Sequence, residues 1–310
     1  MDLSNINPAL LVAALMVASV PILLAAIGEM VVEKAGVLNL GVEGMMIMGA
    51  VCGFAVALTT GSPVIGFVGA AVGGMVLSLV FALLTQVFLT NQVATGLALT
   101  LFGLGLSALI GQGYQGLKPP PTVKLDLGPL GDIPFLGQAI FNHDWIVYFS
   151  LAITVAVWAF LKFSRAGLVL RAVGENHDAA HALGYKVALI RTAAIAFGGA
   201  CAGMGGAYIS LVRVPQWVDG MTAGAGWIAL AIVVFGSWRP GYVLLGAYLF
   251  GGVTVLQLNL QVAGLAIPVE YLSMSPYVIT IAVLVAISAT RRGTSLAAPG
   301  SLGRIFHASR

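Results

Sequence analysis

Residues Gly36 to Ala50 read GVLNLGVEGMMIMGA, which places an amide and a carboxylate, Asn39 and Glu43, at the start of a strongly apolar run that also holds Gly36, Gly41 and Gly44. A carboxylate inside a membrane segment costs about 2.5–3.5 kcal/mol on insertion scales, and each glycine adds about 1 kcal/mol against helix formation. A plain anchor has no use for either penalty. The pattern points to a broken or closely packed helix beside a polar route through a membrane. Four residues apart, Asn39 and Glu43 share one side of a continuous helix. There they either line the route or clamp two helices together by hydrogen bonds.

The remaining reactive side chains point away from enzymatic chemistry. His143, His177, His181 and His307 fall in loops and tails, and no carboxylate pair is expected at one buried site. His177 and His181 are four apart, but a metal ion needs a further ligand and none is evident. Cys52 and Cys201 lie inside apolar runs and read as small packing residues, with no disulfide or metal spacing. The chain contains no G-x-x-x-x-G-K-[ST] phosphate loop, so it supplies no ATP hydrolysis, and no cofactor is expected on it.

These residues need a membrane-spanning frame. Of 310 residues, 59% are hydrophobic and 8% charged, against about 25% charged in soluble domains. The fold class expected is an all-α integral membrane protein, a single transmembrane domain over 1–310. Nine apolar segments (eight to ten, some discontinuous) lie near 9–27, 37–58, 64–88, 92–111, 145–162, 191–212, 223–237, 241–259 and 274–290. The seventh is short and meets Arg239 and Pro240. The leader MDLSNINP carries Asp2 and no basic residue, so the first run reads as a retained span rather than a secretory signal. Among titratable groups, only Glu43 is expected deep in a span.

Topology follows from the basic residues, which gather on the cytoplasmic side. Lys162, Arg165, Arg171, Lys186 and Arg191 mark the segment 163–190 and its borders, and Arg291, Arg292, Arg304 and Arg310 mark the tail 291–310. Both are expected in the cytoplasm, with the N-terminus outside. The net charge of +3 is thereby explained by topology, and no nucleic acid partner is implied. The loop 112–144 holds Lys118, Lys124, Asp126, Asp132, Asp144 and five prolines, and reads as an ordered outer cover that could receive a docking protein. Gly69–Val76 (GAAVGGMV) resembles Gly246–Val255 (GAYLFGGVTV), a hint of the internal repeats found in transporters.

Within the basic island, Asn176 suits an N-cap, Asp178 favours the first turn, Ala179, Ala180 and Ala182 are helix formers, and Gly184 suits a C-terminal stop. A helix of about seven residues is unstable alone. It must seat either on this chain's own inner face or in a groove of a cytoplasmic partner.

Three blocks carry a resemblance over nearly the whole chain: EKAGVLNLGVEGMMIMGA (Glu33–Ala50), RAVGENHDAAHALGYKV (Arg171–Val187) and GMTAGAGWIALAIVVFGSWRPG (Gly220–Gly241). They resemble the permease subunits of bacterial ABC importers in the branched-chain amino acid and simple sugar superfamily. The NLGVEGMM wording is similar to the nucleoside-type branch, which works with lipoproteins of the basic membrane protein class. The resemblance implies a separate ATPase that holds ATP and Mg, a second permease subunit (hetero- or homodimer), an extracytoplasmic substrate-binding lipoprotein, and a place in the cell's inner membrane. It implies a coupling element at Gly174, Glu175, Asn176, Asp178, Ala179, Ala180 and Gly184, and a substrate route at Asn39, Glu43, Met46 and Trp227. Trp227, beside Gly224 and Gly226, would stack on a planar base or sit at the membrane interface. An ion-coupled carrier is the competing reading, but it needs more titratable groups in the spans than Glu43. A channel would have no need of the capped cytoplasmic helix.

Overall fold

The computed structural model describes residues 7–125, 128–131, 133–262, 268–290 and 298–307. It is built of helices: α1 (Pro8–Lys34), α2 (Val42–Thr60), α3 (Pro63–Ala82), α4 (Gln92–Gly111), α5 (Trp145–Phe163), α6 (Arg165–Glu175), α7 (His177–Ala182), α8 (Val187–Tyr208), α9 (Ala225–Phe235), α10 (Pro240–Val262) and α11 (Val269–Thr290). Short π-helical turns extend α3 (Leu83–Val87) and α8 (Ile209–Arg213). Local chemistry sets several starts. Asn7, Ser62, Asn91, Ser164 and Asn176 each accept a hydrogen bond from a first-turn amide, and Pro8 and Pro63 occupy the first helical position, where a missing N–H costs nothing.

Among the described residues, seven helices are long and apolar enough to cross a membrane. The nine segments expected from the sequence all coincide with helices, but the count of nine crossings is not reached. α9 has only 11 residues, and the apolar stretch of α11 runs from Met274 to Val283. The first segment is also longer than expected. α1 continues to Lys34 and carries Glu29 and Glu33 within it, both 1% exposed. The expectation that Glu43 is alone among buried carboxylates therefore fails. α6 is a second departure, since the island was expected to hold one short helix. Gly167, Leu170, Val173 and Gly174 are its buried positions, a helical spacing that the sequence displayed.

α2, α3 and α8 form the packed centre, with α1 laid against α8. Small residues let these backbones touch. A Cβ on Gly49 would collide with the backbone of Gly203, one on Gly74 with the Gly199 carbonyl, and one on Gly28 with Gly198 and Cys201. Close approach through small residues is how helices associate where lipid offers no hydrophobic drive. The paired glycines of the two similar segments do parallel work, since Gly73 and Gly74 seat α3 on α2 and α8, while Gly251 and Gly252 seat α10 on α1.

The far end of α1 meets α6, α7, the start of α8 and residues 298–307. Arg191, fully buried, ties them together: Nε donates to the Ala35 carbonyl (3.1 Å), Nη1 to the Arg304 carbonyl (3.1 Å), and Nη2 pairs with His177 Nδ1 (3.0 Å). The Ser301 amide donates to the Gly174 carbonyl and the His177 amide to Ser301 Oγ. The opposite end carries residues 112–144, where Asn7 meets Gln138 and Lys124 forms an isolated antiparallel bridge with Asp144.

Candidate functional site

The site grows from the two places where the buried backbone stops being helical. The first lies between α1 and α2. α2 begins at Val42, so Asn39 sits in a non-helical turn and does not share a helical face with Glu43, as the continuous-helix expectation had it. Asn39 is fully buried. Its backbone N–H and its Nδ2 donate to the two Glu29 carboxylate oxygens at 3.3 and 3.4 Å, and its Oδ1 accepts from the Gly41 amide at 2.9 Å. The turn continues along α4, with the Leu38 amide on Gln92 Oε1 and the Leu40 carbonyl on Thr100 Oγ1.

The second interruption is Val214–Gly224, which leads from the end of α8 to α9. Ala223 and Gly224 both adopt positive φ, +47° and +85°, and release the α9 amides toward Glu43. Glu43 is 3% exposed. Oε1 accepts from Thr222 Oγ1 (2.5 Å) and the Gly224 amide (2.9 Å), and Oε2 accepts from the Gly226 amide (2.7 Å). Gly226 is required here because a Cβ would collide with the Glu43 backbone. The carboxylate thus lies in the first turn of α2 and against the first turn of α9, where two helix dipoles favour negative charge. This arrangement offsets the cost of burying it.

A third contact closes α9 at its other end. Ser237 and Trp238 take positive φ in the turn to α10, and Trp238 Nε1 donates to Glu33 Oε2. Glu29, Glu33 and Glu43 each hold one irregular segment. Sequence reasoning missed the first two because the apolar run was taken to end at residue 27. The signal available was the seven-residue gap to Lys34, too short for a separate element.

α9 begins in the middle of the protein, because Ala225 and Ile228 share a cavity wall with Ala18, Pro21 and Ile22, the middle of α1. Of the other expected route residues, Met46 is fully buried and its carbonyl abuts Gly206, so it packs the centre. Trp227 is 51% exposed and lines a cavity of about 420 Å³ with Phe250, Tyr277 and Ile281. It is not brought together with Asn39.

The island is organised as expected in part. Asn176 Oδ1 accepts from the Ala179 amide, and Gly184 takes φ +88° behind α7. Asp178 and Ala179 face outward with Ala182, Leu183 and Gly184, and Leu183 is 78% exposed. Ala180 does not face outward. It is 2% exposed and packs on Val173, Val187, Ile190 and Phe306 of this chain. Gly174 and Glu175 belong to α6, where Gly174 abuts the Lys34 carbonyl and Glu175 Oε2 accepts from the Gly300 amide. Burial, and next the Arg191 guanidinium, hold His177 below its usual pKa of 6.5. In the loop at the other end, Asp126 and Asp132 lie outside the described residues, as do Arg291, Arg292 and Arg310 in the tail. Burial raises the Asp144 carboxyl, opposed by its bond to Thr122 and by Lys124.

A broken, carboxylate-capped membrane helix beside a glycine-packed centre is the architecture of a solute permease, and the comparisons agree. Residues 11–286 match the family described as branched-chain amino acid transport system / permease component, and the chain belongs to that family. It is 40% identical over 307 residues to the putative glucose ABC transporter permease protein TsgC13 of Haloferax volcanii, covering 92% of this chain and 93% of that one. It is 31% identical over 292 residues to the guanosine ABC transporter permease protein NupQ of Bacillus subtilis and 32% identical over 290 residues to the nucleoside ABC transporter permease protein NupC of Lactococcus lactis. Both alignments cover 89% of this chain and 91% of the relative. No solved structure matches. The chain is a multi-pass membrane permease of the branched-chain amino acid and simple sugar superfamily.

Proposed function

We propose that this subunit carries a small polar, nucleoside-like solute across the cell membrane as half of an ABC importer. A separate ATPase, binding ATP and Mg, drives it, a second permease subunit completes the pair, and an extracytoplasmic lipoprotein delivers the solute. In this reading α6, α7 and residues 298–307 face the cytoplasm and residues 112–144 face outward. The relatives divide between guanosine or nucleoside and glucose in name, and the NLGVEGMM wording favours the nucleoside branch. Rim charges such as Asp144 and Lys124 would tune the encounter with the lipoprotein.

The observation that carries the coupling part is the two-sidedness of α7. Its inner face is fixed by Ala180, by His177 and Arg191, and by Phe306. Its outer face offers the exposed Asp178, Ala179, Ala182 and the protruding Leu183, which makes a knob for an ATPase groove. Transmitting nucleotide-driven closure needs such an element, held by both parts. Ala180→Arg is a poor probe because it would burst this chain's own packing. Leu183→Arg or Ala179→Arg changes only the outer face. Each is expected to insert in the membrane and retain the 298–307 contacts, yet lose copurification of the ATPase and nearly all ATP-driven uptake. Normal assembly and transport by both variants would exclude α7 as the coupling element.

A further inference from the structure

Two helices with an interior proline and two irregular helix ends meet around one point. α1 carries Pro21 in its interior, α11 carries Pro276, α8 loosens into a π-helical turn that ends at Arg213, and α9 starts there from the strained Ala223–Gly224 step. Proline removes a helical hydrogen bond, and π-turns cluster at functional sites. At membrane depth, irregular backbone is tolerated only where protein buries it or where it lines a watery cavity. Here the irregular backbone around Ile209, Arg213 and Ala223 lines a cavity of about 330 Å³ that Pro21 and Pro276 also line, a size within the roughly 300–1,000 Å³ of small-molecule sites.

The wall chemistry is specific. α10 contributes Thr254 and Gln257, the α9 approach contributes Thr222, α11 contributes Tyr277, and Arg213 stands at the solvent-accessible rim. Gln257, the Tyr277 hydroxyl and the Arg213 guanidinium have no hydrogen-bond or ion-pair partner among the described residues. Phe250 and Tyr277 meet edge to face, with centroids 5.8 Å apart, and both also line the adjoining cavity that contains Trp227. Among the described residues, no carboxylate lines the wall. Glu43 lies behind it, fully engaged by Thr222, Gly224 and Gly226.

We propose that this cavity, between α1, α8, α9, α10 and α11, is the solute station of the permease, and that it selects an uncharged, hydroxyl-rich solute with one flat apolar face. The Gln257 amide and the Tyr277 hydroxyl pair with the solute's donors and acceptors, Thr254, whose Oγ1 donates to the Phe250 carbonyl, offers an acceptor, and the Phe250–Tyr277 pair covers the flat face. A cation finds no counter-charge in the wall. An anion finds only rim-placed Arg213, with Glu43 behind Thr222. Nucleosides and sugars both answer this description. The inference rests on the transport reading above but assigns residues that the reading does not.

The test uses the assembled importer in proteoliposomes with labelled guanosine, uridine and glucose as probes. Gln257→Leu and Thr254→Val are expected to raise KM for the transported solute about three- to tenfold each, the range of one lost hydrogen bond. Lipoprotein-stimulated ATP hydrolysis should be retained. Leu258→Gln, on the exposed side of α10, should leave KM unchanged. Guanosine uptake names a nucleoside, and glucose uptake a sugar. In parallel, Gln257→Cys in a background free of Cys52 and Cys201 should be shielded from a methanethiosulfonate reagent by the transported solute. Unchanged KM in both α10 variants, or no shielding by any of the three probes, overturns the assignment. An assembly that shields the cysteine but shows no ATP-driven uptake overturns the transport reading and leaves the site standing.

Discussion

Glycine is spent differently in two parts of this protein. In the α2–α3–α8 centre it removes side chains so that backbones meet: Gly49 on Gly203, Gly74 on Gly199, Gly206 on the Met46 carbonyl. In the flank built from α9, α10 and α11, Gly226 and Gly251 still bring backbones close, but Gly224 opens a left-handed step, and Gly252 faces only the side-chain end of Leu15. The centre is closely packed, backbone against backbone. The flank is interrupted and holds space beside polar side chains. A permease needs both, a fixed frame and a seam at which solute is held.

The largest effect should come from breaking the frame. A Cβ on Gly203 would run into the Ala70 carbonyl oxygen, so Gly203→Val must push α3 away from α8. Overpacking costs about 1–3 kcal/mol where side chains give way, and here the obstacle is backbone. We expect loss of folded protein in detergent, read by size exclusion and thermal unfolding. In the flank, Gly252→Ala meets Leu15 Cδ1 at 3.0 Å, a side-chain end that can move, while helix propensity returns up to about 1 kcal/mol. That variant should fold as the parent does. Equal sensitivity of the two sites would erase the distinction between frame and flank.

Next in size is the staple that joins frame to flank. Glu43→Gln keeps the shape but turns one acceptor into a donor, opposite Thr222, Gly224 and Gly226. Hydrogen bonds to a charged group contribute about 1.5–3 kcal/mol each, so a stability loss of about that size is expected, with normal insertion and strongly reduced uptake. Unfolding curves and uptake measured on the same preparation separate the two losses. Unaltered uptake with lowered stability would make Glu43 a clamp alone, with no bearing on the solute.

Much of this was legible in the sequence, and the misses have causes. The helical class and the capped α7 follow from residue types that act locally, Asn176 as a cap and Gly184 as a stop, while the glycines and carboxylate of 36–50 signalled a broken or closely packed helix without placing the break. What could not be read was which residue answers which. Asn39 and Glu43 looked like partners at helical spacing, but a break between them sends one to Glu29 and the other to α9. The inward face of α7 depends on Phe306, which lies 126 residues beyond Ala180. The cavity depends on Pro21 and Pro276, ordinary in each helix alone and meaningful only when the fold brings them to one place.

The smallest effect concerns how firmly α7 and residues 298–307 are held. His177 Nδ1 faces Arg191 Nη2, Arg304 lies close on the tail, and Asp178 is the one opposing charge, 3.6 Å from Nε2. Burial and the Arg191 charge keep the ring neutral, so its folded pKa lies below the unfolded value of 6.5. Between those two values the unfolded chain binds more protons, so stability rises with pH. The contribution is therefore complete above pH 6.5 and fades as pH falls toward the folded value. Because Arg191 also holds the Arg304 carbonyl, the part that loosens should be residues 298–307 with α7, while the α2–α3–α8 centre is unaffected. Amide exchange compared at pH 7.5 and 5.5, after correction for intrinsic rates, should show lost protection near Gly174, His177 and Ser301 and unchanged protection in α2. His177→Gln should remove the pH dependence. Loss of protection that is equal in the centre, or that persists in His177→Gln, would assign the effect to some other group.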